Sequence, residues 1–251
     1  MQSVKKTFEV LEFVATLTEG GATLDLISKQ LSFPKATAHR ICKTLCSCGY
    51  LRQSTNGHYF LTAKLVTLGY GVIQNDSLVD DAGVVLKELA NRTGFTVNLQ
   101  RLDIEKVVLL RKEEPINSAF HTNAHAGLAS ALHHAACGKV ILAHFSQSEQ
   151  KKYWEKFSTN LEDFKHFGEH AIESLEDFKA ENTRVKQQGW SVDGEGNESG
   201  ITCLAVPLKR DERVQYAISI SGLTPEIHRF GTDNIVQNLL ETARELVEKY
   251  L

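Results

Sequence analysis

TLDLISKQLSFPKATAHRICKTLCSCGY, residues 23–50, has the spacing of two short amphipathic helices joined by a tight turn. Thr23 is suited to cap the first helix, in which apolar residues recur at positions 24, 27 and 31. Pro34 falls where the second helix would begin, because a residue in the first turn needs no backbone N–H. Apolar positions 41, 45 and 48 would share one face of the second helix, which Gly49 would end. This arrangement is typical of a helix-turn-helix.

The rest of the second helix is small, polar or cationic. A helix that enters the major groove of DNA needs small and polar side chains that reach base edges, and cations that hold phosphates. The residues of this helix that could serve are Lys35, Thr37, Ala38, His39, Arg40 and Lys43. The pattern predicts double-stranded DNA as the partner.

Two strand-like runs, residues 50–53 and 58–61, follow the second helix on either side of residues 54–57. The turn contains Asn56-Gly57, a strong hairpin signal. We expect this hairpin to be a wing, with Arg52 and His58 as further candidate DNA contacts. An RNA-binding or purely architectural winged helix is an alternative.

Charge is unevenly distributed along the chain. Residues 1–71 hold eight Lys and Arg against four Asp and Glu, a net charge of +4, while the remaining 180 residues hold 20 against 27, a net charge of −7. A positively charged N-terminal part on an otherwise negatively charged chain fits a protein in which only the N-terminal part attracts the phosphates of nucleic acid.

Composition suggests two domains, since 251 residues with 42% hydrophobic content can bury two cores. We expect a winged helix-turn-helix with a linker helix over residues 1–73, and an effector-binding and oligomerisation domain over residues 74–251.

No long apolar run or signal peptide is evident, which favours a cytoplasmic protein without a membrane partner. Five cysteines without paired CxxC spacing indicate neither a disulfide framework nor a zinc site.

Residues 62–91 have a helical pattern with predicted interruptions at residues 69–71 and 75–77. We interpret them as a linker helix followed by the first helix of the larger domain. Each carries an apolar stripe, made of Leu65, Leu68, Val72 and Ile73 in the first and of Val79, Ala82, Leu86, Leu89 and Ala90 in the second. Exposed stripes need covering, so we predict a homodimer or a dimer of dimers.

The larger domain alternates between strand and helix patterns. Strands are predicted from residue 94 to 101 and at residues 107–110, 116–121, 201–208 and 214–221, and helices at 135–145, 150–157, 174–187 and 232–251. Hairpins with separate helices predict an α+β sensor-like domain built on an antiparallel sheet.

Several blocks of the chain together resemble the IclR family of bacterial transcriptional regulators. They are residues 3–7, 31–40, 49–51, 59–65, 93–99, 132–133, 138–143, 193–207 and 216–221. The resemblance implies a larger domain related to GAF and PAS domains. Residues 153–155 and 215–220 are most similar to members that control sugar-acid catabolism.

The resemblance also implies an effector site. Asp193, Cys203, Ser219 and Ser221 fall on positions that bind small acids in the family, and the backbone near Ala136 and Cys137, at the start of a helix, is the matching anion-receiving site. Free N–H groups and Ser hydroxyls suit a carboxylate, and Asp193 could accept from hydroxyls. A polyhydroxylated acid would suit both the hydrogen-bond donors and Asp193, because it carries a carboxylate and several hydroxyls.

Two alternative hypotheses assign catalysis or metal binding to residues of the larger domain instead. An enzyme would use Cys203 as nucleophile with a neighbouring His as base, but no matching acyl-transfer motif, glycine-rich phosphate loop, HExxH or GxSxG accompanies it. A metal site at His133, His134 and Cys137 would lack a fourth ligand. The sequence therefore predicts a ligand-responsive, homo-oligomeric DNA-binding regulator without cofactor, metal or catalytic residues.

Overall fold

The structure, a computed structural model, describes residues 2–17, 20–117, 121–159, 172–193, 199–211 and 213–251. The chain separates into two units, one ending at Asn75 and the other beginning at Asp76. The boundary expected from the sequence lies two residues before this division.

The described part of the N-terminal unit is a helix-turn-helix followed by a hairpin and a helix. Its elements are α1 (Gln2–Ala15), α2 (Leu24–Gln30), α3 (Lys35–Ser47), β1 (Leu51–Gln53), β2 (Tyr59–Leu61) and α4 (Lys64–Gln74). The Thr23 hydroxyl accepts a hydrogen bond from the Leu26 N–H at 3.1 Å, and Pro34 directly precedes α3. β1 and β2 pair antiparallel. The predicted winged helix-turn-helix is confirmed, while α1 was not predicted.

One face of each of the first three helices forms the core of this unit. Val10, Ile27 and Leu45 are buried there, on α1, α2 and α3 respectively. Cys48 was predicted on the apolar face of α3, but it is exposed because the helix ends one residue earlier and Cys48 is its C-cap. Cys46 packs against the core instead.

The predicted linker region forms α4 and then α5 (Ser77–Thr93). α4 continues through Gly69-Tyr70-Gly71, so the interruption predicted there is wrong, and the break falls at Asn75–Asp76. No residue of α4 is buried, and Leu68 and Val72 are 53% and 49% exposed. The second stripe lies on α5 and is buried in the core of the C-terminal unit, so it needs no partner subunit.

The C-terminal unit is built on an antiparallel sheet whose described strands have the order β5-β4-β3-β8-β7-β6. Its further elements are β3 (Thr96–Asp103), β4 (Lys106–Glu113), β5 (Ala129–Ala131), α6 (Ala136–Leu142), α7 (Gln147–Phe157), α8 (Leu175–Gln188), β6 (Ser191–Val192), β7 (Ile201–Leu208), β8 (Tyr216–Leu223), α9 (Thr224–Phe230) and α10 (Thr232–Tyr250). The α+β class is confirmed. Of the strand predicted at 116–121, residues 118–120 lie outside the described residues, and 116–117 form a turn.

The register of the central strands decides which side chains meet. Asn98 of β3 lies opposite Ser219 of β8, and Ser221 of β8 lies opposite Cys203 of β7. Opposite residues point to the same face of a sheet, as do residues two apart on one strand. These four side chains therefore share one face, against which α6 packs.

Candidate functional site

α3 presents a cationic surface without any acidic residue. Lys35, His39 and Lys43 follow one another at intervals of four and so lie along one side, with Arg40 beside them. All four are exposed. The Lys35 ammonium lies 2.5 Å from the carboxylate of Asp25 on α2, so it is already paired.

Ala38 does not belong to this surface. It was predicted to contact DNA, but it is fully buried among the core residues of the N-terminal unit. Its spacing to Ile41, Cys42 and Leu45 places it on the buried stripe of α3. Thr37 is half-buried and remains at the edge of the exposed face.

The two predicted contacts of the hairpin are held in different ways. Arg52 is exposed on β1, and its guanidinium lies over the Phe60 ring at 4.4 Å from the centroid. His58 is half-buried, and its backbone N–H and C=O each bond the Ser54 hydroxyl at 3.1 Å. The turn therefore fixes the backbone of the hairpin at His58.

All six residues predicted to bind an effector line one cavity of about 490 Å³ in the C-terminal unit. β7 and β8 contribute Cys203, Ser219 and Ser221, and Asp193 follows β6. Ala136 and Cys137 are the first residues of α6. These six residues, spread from position 136 to position 221 of the chain, thus meet because the strand register and the packing of α6 bring them to one place.

A chain of hydrogen bonds joins the polar side chains of the cavity wall. The Asn98 amide donates to the Ser221 hydroxyl at 3.0 Å, and that hydroxyl donates to the Cys203 sulfur at 3.1 Å. The Cys203 backbone N–H donates to the Asp193 carboxylate at 2.8 Å. Each of these side chains is thereby held in one orientation.

A buried carboxylate lines the cavity at Asp193, and a second buried charge, that of Lys139 on α6, lies near it without lining the cavity. Asp193 and Lys139 are each 1% exposed, and the Lys139 ammonium donates to the Val192 carbonyl at 3.0 Å. Burial lowers the pKa of Lys139 to about 8, although the charge of Asp193 opposes this shift.

Both cavity thiols are held in the neutral form. Burial raises the pKa of Cys137 to about 12. Burial, followed by the charge of Asp193, raises the pKa of Cys203 well above its usual value. A thiol is a poor nucleophile when it cannot ionise.

Sequence reasoning missed several polar residues of the cavity wall, namely Asn98, Gln100, Thr122, Asn123, His125 and Ser130. Three of them carry a buried side-chain oxygen without a hydrogen-bond partner among the described residues: Asn98 Oδ1, Gln100 Oε1 and Thr122 Oγ1. Polar residues alternate with buried apolar ones along β3, and this signal could have identified Asn98 and Gln100.

A larger cavity, of about 580 Å³, lies beyond the C-terminal end of α6 and contains none of the predicted residues. Among the described residues, no three His, Cys, Asp or Glu side chains cluster as metal ligands would. His133, one of the three residues weighed as metal ligands, lies with Nδ1 2.8 Å from the Tyr153 hydroxyl, and burial lowers its pKa to about 3.

No helix within the described ranges is both long and apolar enough to cross a membrane.

Comparison with known proteins matches both units. Residues 3–55 match the IclR helix-turn-helix domain, and residues 70–248 match the bacterial transcriptional regulator IclR C-terminal family. The chain is 32% identical to the HTH-type transcriptional regulator KdgR of Dickeya chrysanthemi, covering 93% of this chain and 74% of that one. It is 31% identical to the HTH-type transcriptional regulator XynR of Escherichia coli, covering 98% and 96%. An IclR homolog from Microbacterium hydrocarbonoxydans, complexed with 4-hydroxybenzoate, has the same fold, with a TM-score of 0.77, 18% identity and 98% of both chains covered.

Proposed function

This chain belongs to the IclR family of bacterial transcriptional regulators, and on that premise we propose that it controls a sugar-acid or related carbohydrate catabolic operon, with a small organic acid as effector. The observation that carries the effector part is the convergence of six residues, predicted from separate blocks of sequence, on one cavity. Similarity to KdgR and XynR supports the sugar-acid assignment. A regulator of this kind would work in the cytoplasm.

Operator DNA is the proposed partner of the N-terminal unit. The exposed face of α3 supplies polar groups and cations where a recognition helix needs them, and the hairpin adds Arg52 and His58 beside it. The proposed contacts are therefore Lys35, Thr37, His39, Arg40, Lys43, Arg52 and His58. Selection from a randomised duplex pool would test this, since an architectural or RNA-binding domain would select no DNA sequence.

The chemistry of the cavity favours a hydroxylated acid over an apolar one. No Lys or Arg is among its described lining residues, so a carboxylate would rely on hydroxyl, amide and backbone N–H donors. Asp193 and the unpartnered oxygens of Asn98, Gln100 and Thr122 are acceptors, which ligand hydroxyls would satisfy. A ligand with several hydroxyls and one carboxylate uses both kinds of group.

We expect Asp193→Asn to lower effector affinity by about tenfold or more, because a hydrogen bond to an ionised group contributes about 1.5–3 kcal/mol. Ser219→Ala should lower it by a few-fold, since a neutral hydroxyl contributes roughly 0.5–1.5 kcal/mol. A thermal-shift screen of uronates, aldonates and short 2-keto acids would identify a ligand, and calorimetry would measure its affinity in each variant.

Ser130→Ala is a control for the cavity assignment. Ser130 lines the cavity wall away from Asp193, on β5, and its removal should affect a ligand held at Asp193 less than Ser219→Ala does. Unchanged affinity in Asp193→Asn and Ser219→Ala, or a loss fully matched by a lower melting temperature of the ligand-free protein, would contradict the proposed site.

Asp76 offers a route from the cavity to the linker helix. Its carboxylate accepts hydrogen bonds from the Arg101 guanidinium and the Tyr216 hydroxyl, both at 2.8 Å. Arg101 and Tyr216 face each other on β3 and β8, the strands that also carry Asn98 and Ser219. A ligand that moves these strands would act on Asp76, the N-cap of α5, which lies two residues after the end of α4. This contact supports the proposal that α4 is the linker through which the effector acts. Binding of the effector would change the spacing of the two DNA-binding units in a dimer.

The exposed stripe of α4 supports assembly with a second copy, and we expect light scattering to report a dimer or a dimer of dimers. Leu68→Glu should shift the protein towards monomer and weaken operator binding, because a charge in an apolar interface loses its hydration. Thr67→Glu, on the same helix, is the matched control. A monomer at micromolar concentration that retains full operator affinity would contradict the proposal.

We expect no catalytic turnover from Cys203. Burial holds its thiol in the neutral form, and the sulfur accepts a hydrogen bond from the Ser221 hydroxyl. A thiol that cannot ionise is a poor nucleophile. Membership of a family of transcriptional regulators supports this expectation.

A further inference from the structure

Three consecutive carbonyls at the exit of α3 are all bonded by the residues that begin the next helix. The Lys64 ammonium donates to the Cys48 carbonyl at 2.8 Å. The Thr62 hydroxyl donates to the Gly49 carbonyl at 2.6 Å, and the Thr62 N–H donates to the Tyr50 carbonyl at 3.1 Å. The end of α3 is thus joined to Thr62, which lies just before α4, and to Lys64, the first residue of α4.

The Lys64 bond completes the C-terminal cap of α3. The Gly49 N–H bonds the Cys46 carbonyl and the Tyr50 N–H bonds the Leu45 carbonyl, both at 2.9 Å, which is the Schellman pattern. That pattern leaves the Cys48 carbonyl to another donor. The last turn of α3 contains no basic residue, so Lys64 supplies the positive charge that the carboxyl end of a helix favours.

The Lys64 side chain is directed towards the protein. Besides its bond to Cys48, its ammonium lies 4.5 Å from the centroid of the Tyr50 ring. Lys43 is exposed on α3, as Lys64 is on α4, but Lys43 has no ion pair among the described residues. The two lysines are equally cationic, but the ammonium of Lys64 is already held by the Cys48 carbonyl and the Tyr50 ring.

We propose that Lys64 is a positioning residue for DNA recognition: it fixes the exit of α3 against α4, and so sets how α3 is presented to the operator, without touching DNA. The inference rests on the proposed DNA-binding function. A residue of this kind contributes to specific binding, where α3 must fit the groove, and little to non-specific binding, which depends on phosphate contacts.

The test compares Lys64→Met with Lys43→Met in the full chain. The probes are a duplex that the wild-type protein has selected from a randomised pool and a duplex of shuffled sequence, each titrated at several salt concentrations. We expect Lys64→Met to lower affinity for the selected duplex by about tenfold, with an unchanged salt slope and less than about a twofold change for the shuffled duplex. Lys43→Met should weaken binding to both and reduce the salt slope by about one.

Two further variants separate positioning from a general loss of structure. Lys64→Arg keeps a cationic donor and should restore most of the specific affinity. Thr62→Val removes the hydroxyl bond to Gly49 and should reduce specific binding without changing the salt slope.

A reduced salt slope in Lys64→Met would show a direct phosphate contact and overturn the inference. Unchanged specific affinity, or an equal loss in Lys64→Arg, would also overturn it. A wild-type protein that selects no DNA sequence would overturn the proposed function, and this inference with it.

Discussion

Arg40→Ala is expected to lower affinity for the selected operator by roughly five- to hundredfold, because loss of a base-edge contact costs about 1–3 kcal/mol. Arg40 is exposed in the second turn of α3 and has no ion pair among the described residues, so its guanidinium is available to DNA. Arg also suits recognition of guanine through two parallel hydrogen bonds. Titrations with the selected and shuffled duplexes would measure both the loss and its sequence dependence.

Lys35→Ala should have a smaller effect. Its ammonium is paired with Asp25, and binding DNA would require that pair to be exchanged for a phosphate. Arg244→Ala, an exposed substitution on α10 of the other unit, is the matched control and should leave operator binding unchanged. If neither Arg40→Ala nor Lys35→Ala changes operator affinity at two salt concentrations, α3 is not the recognition helix. Effector affinity should be the same in all three variants.

The parts of the fold that the sequence predicts correctly are those with strong local signals. Thr23 caps α2 and Pro34 precedes α3, while Asn56-Gly57 turns between β1 and β2, with Gly57 at a φ of +84°. Each of these signals depends on a few neighbouring residues, so it determines the local structure independently of the rest of the chain. β5 and β6, with three and two residues, are too short to show a periodicity and were not predicted.

Ala38 shows why residue type alone can mislead. A small side chain suits a groove-facing helix, but Ala is equally suited to close packing between helices. The spacing of Ala38, Ile41, Cys42 and Leu45 is i, i+3, i+4 and i+7, which defines the buried stripe. Position relative to this stripe, rather than side-chain size, separates buried residues from candidate contacts.

The cavity could be predicted only in part, for a related reason. Its strand residues follow regular alternation, which makes Ser219 and Ser221 neighbours on one face. Thr122 and Asn123 lie in an irregular segment, where no periodicity indicates which way a side chain points. Their place in the wall depends on tertiary packing, which a single sequence does not display.

Gly138→Ala is expected to destabilise the C-terminal unit by about 1–3 kcal/mol or more, because the added methyl group has no room. A Cβ at Gly138 would lie 2.3 Å from the carbonyl oxygen of Leu132 and 2.5 Å from its Cα. Both atoms belong to the backbone, so the clash cannot be relieved by rotating a side chain. α6 would have to move away from residue 132, and Ala136 and Cys137 at its start would move with it.

Thermal and denaturant unfolding would measure the effect, and effector affinity should fall in parallel because α6 forms part of the cavity wall. Gly69→Ala is the matched control: Gly69 lies within α4, nothing described lies within 4 Å of its added Cβ, and alanine favours a helix by about 1 kcal/mol over glycine. The same substitution should therefore be harmful at one helical glycine and neutral or stabilising at the other. A Gly138→Ala protein with wild-type stability and effector affinity would show that the approach of α6 to Leu132 does not limit the cavity.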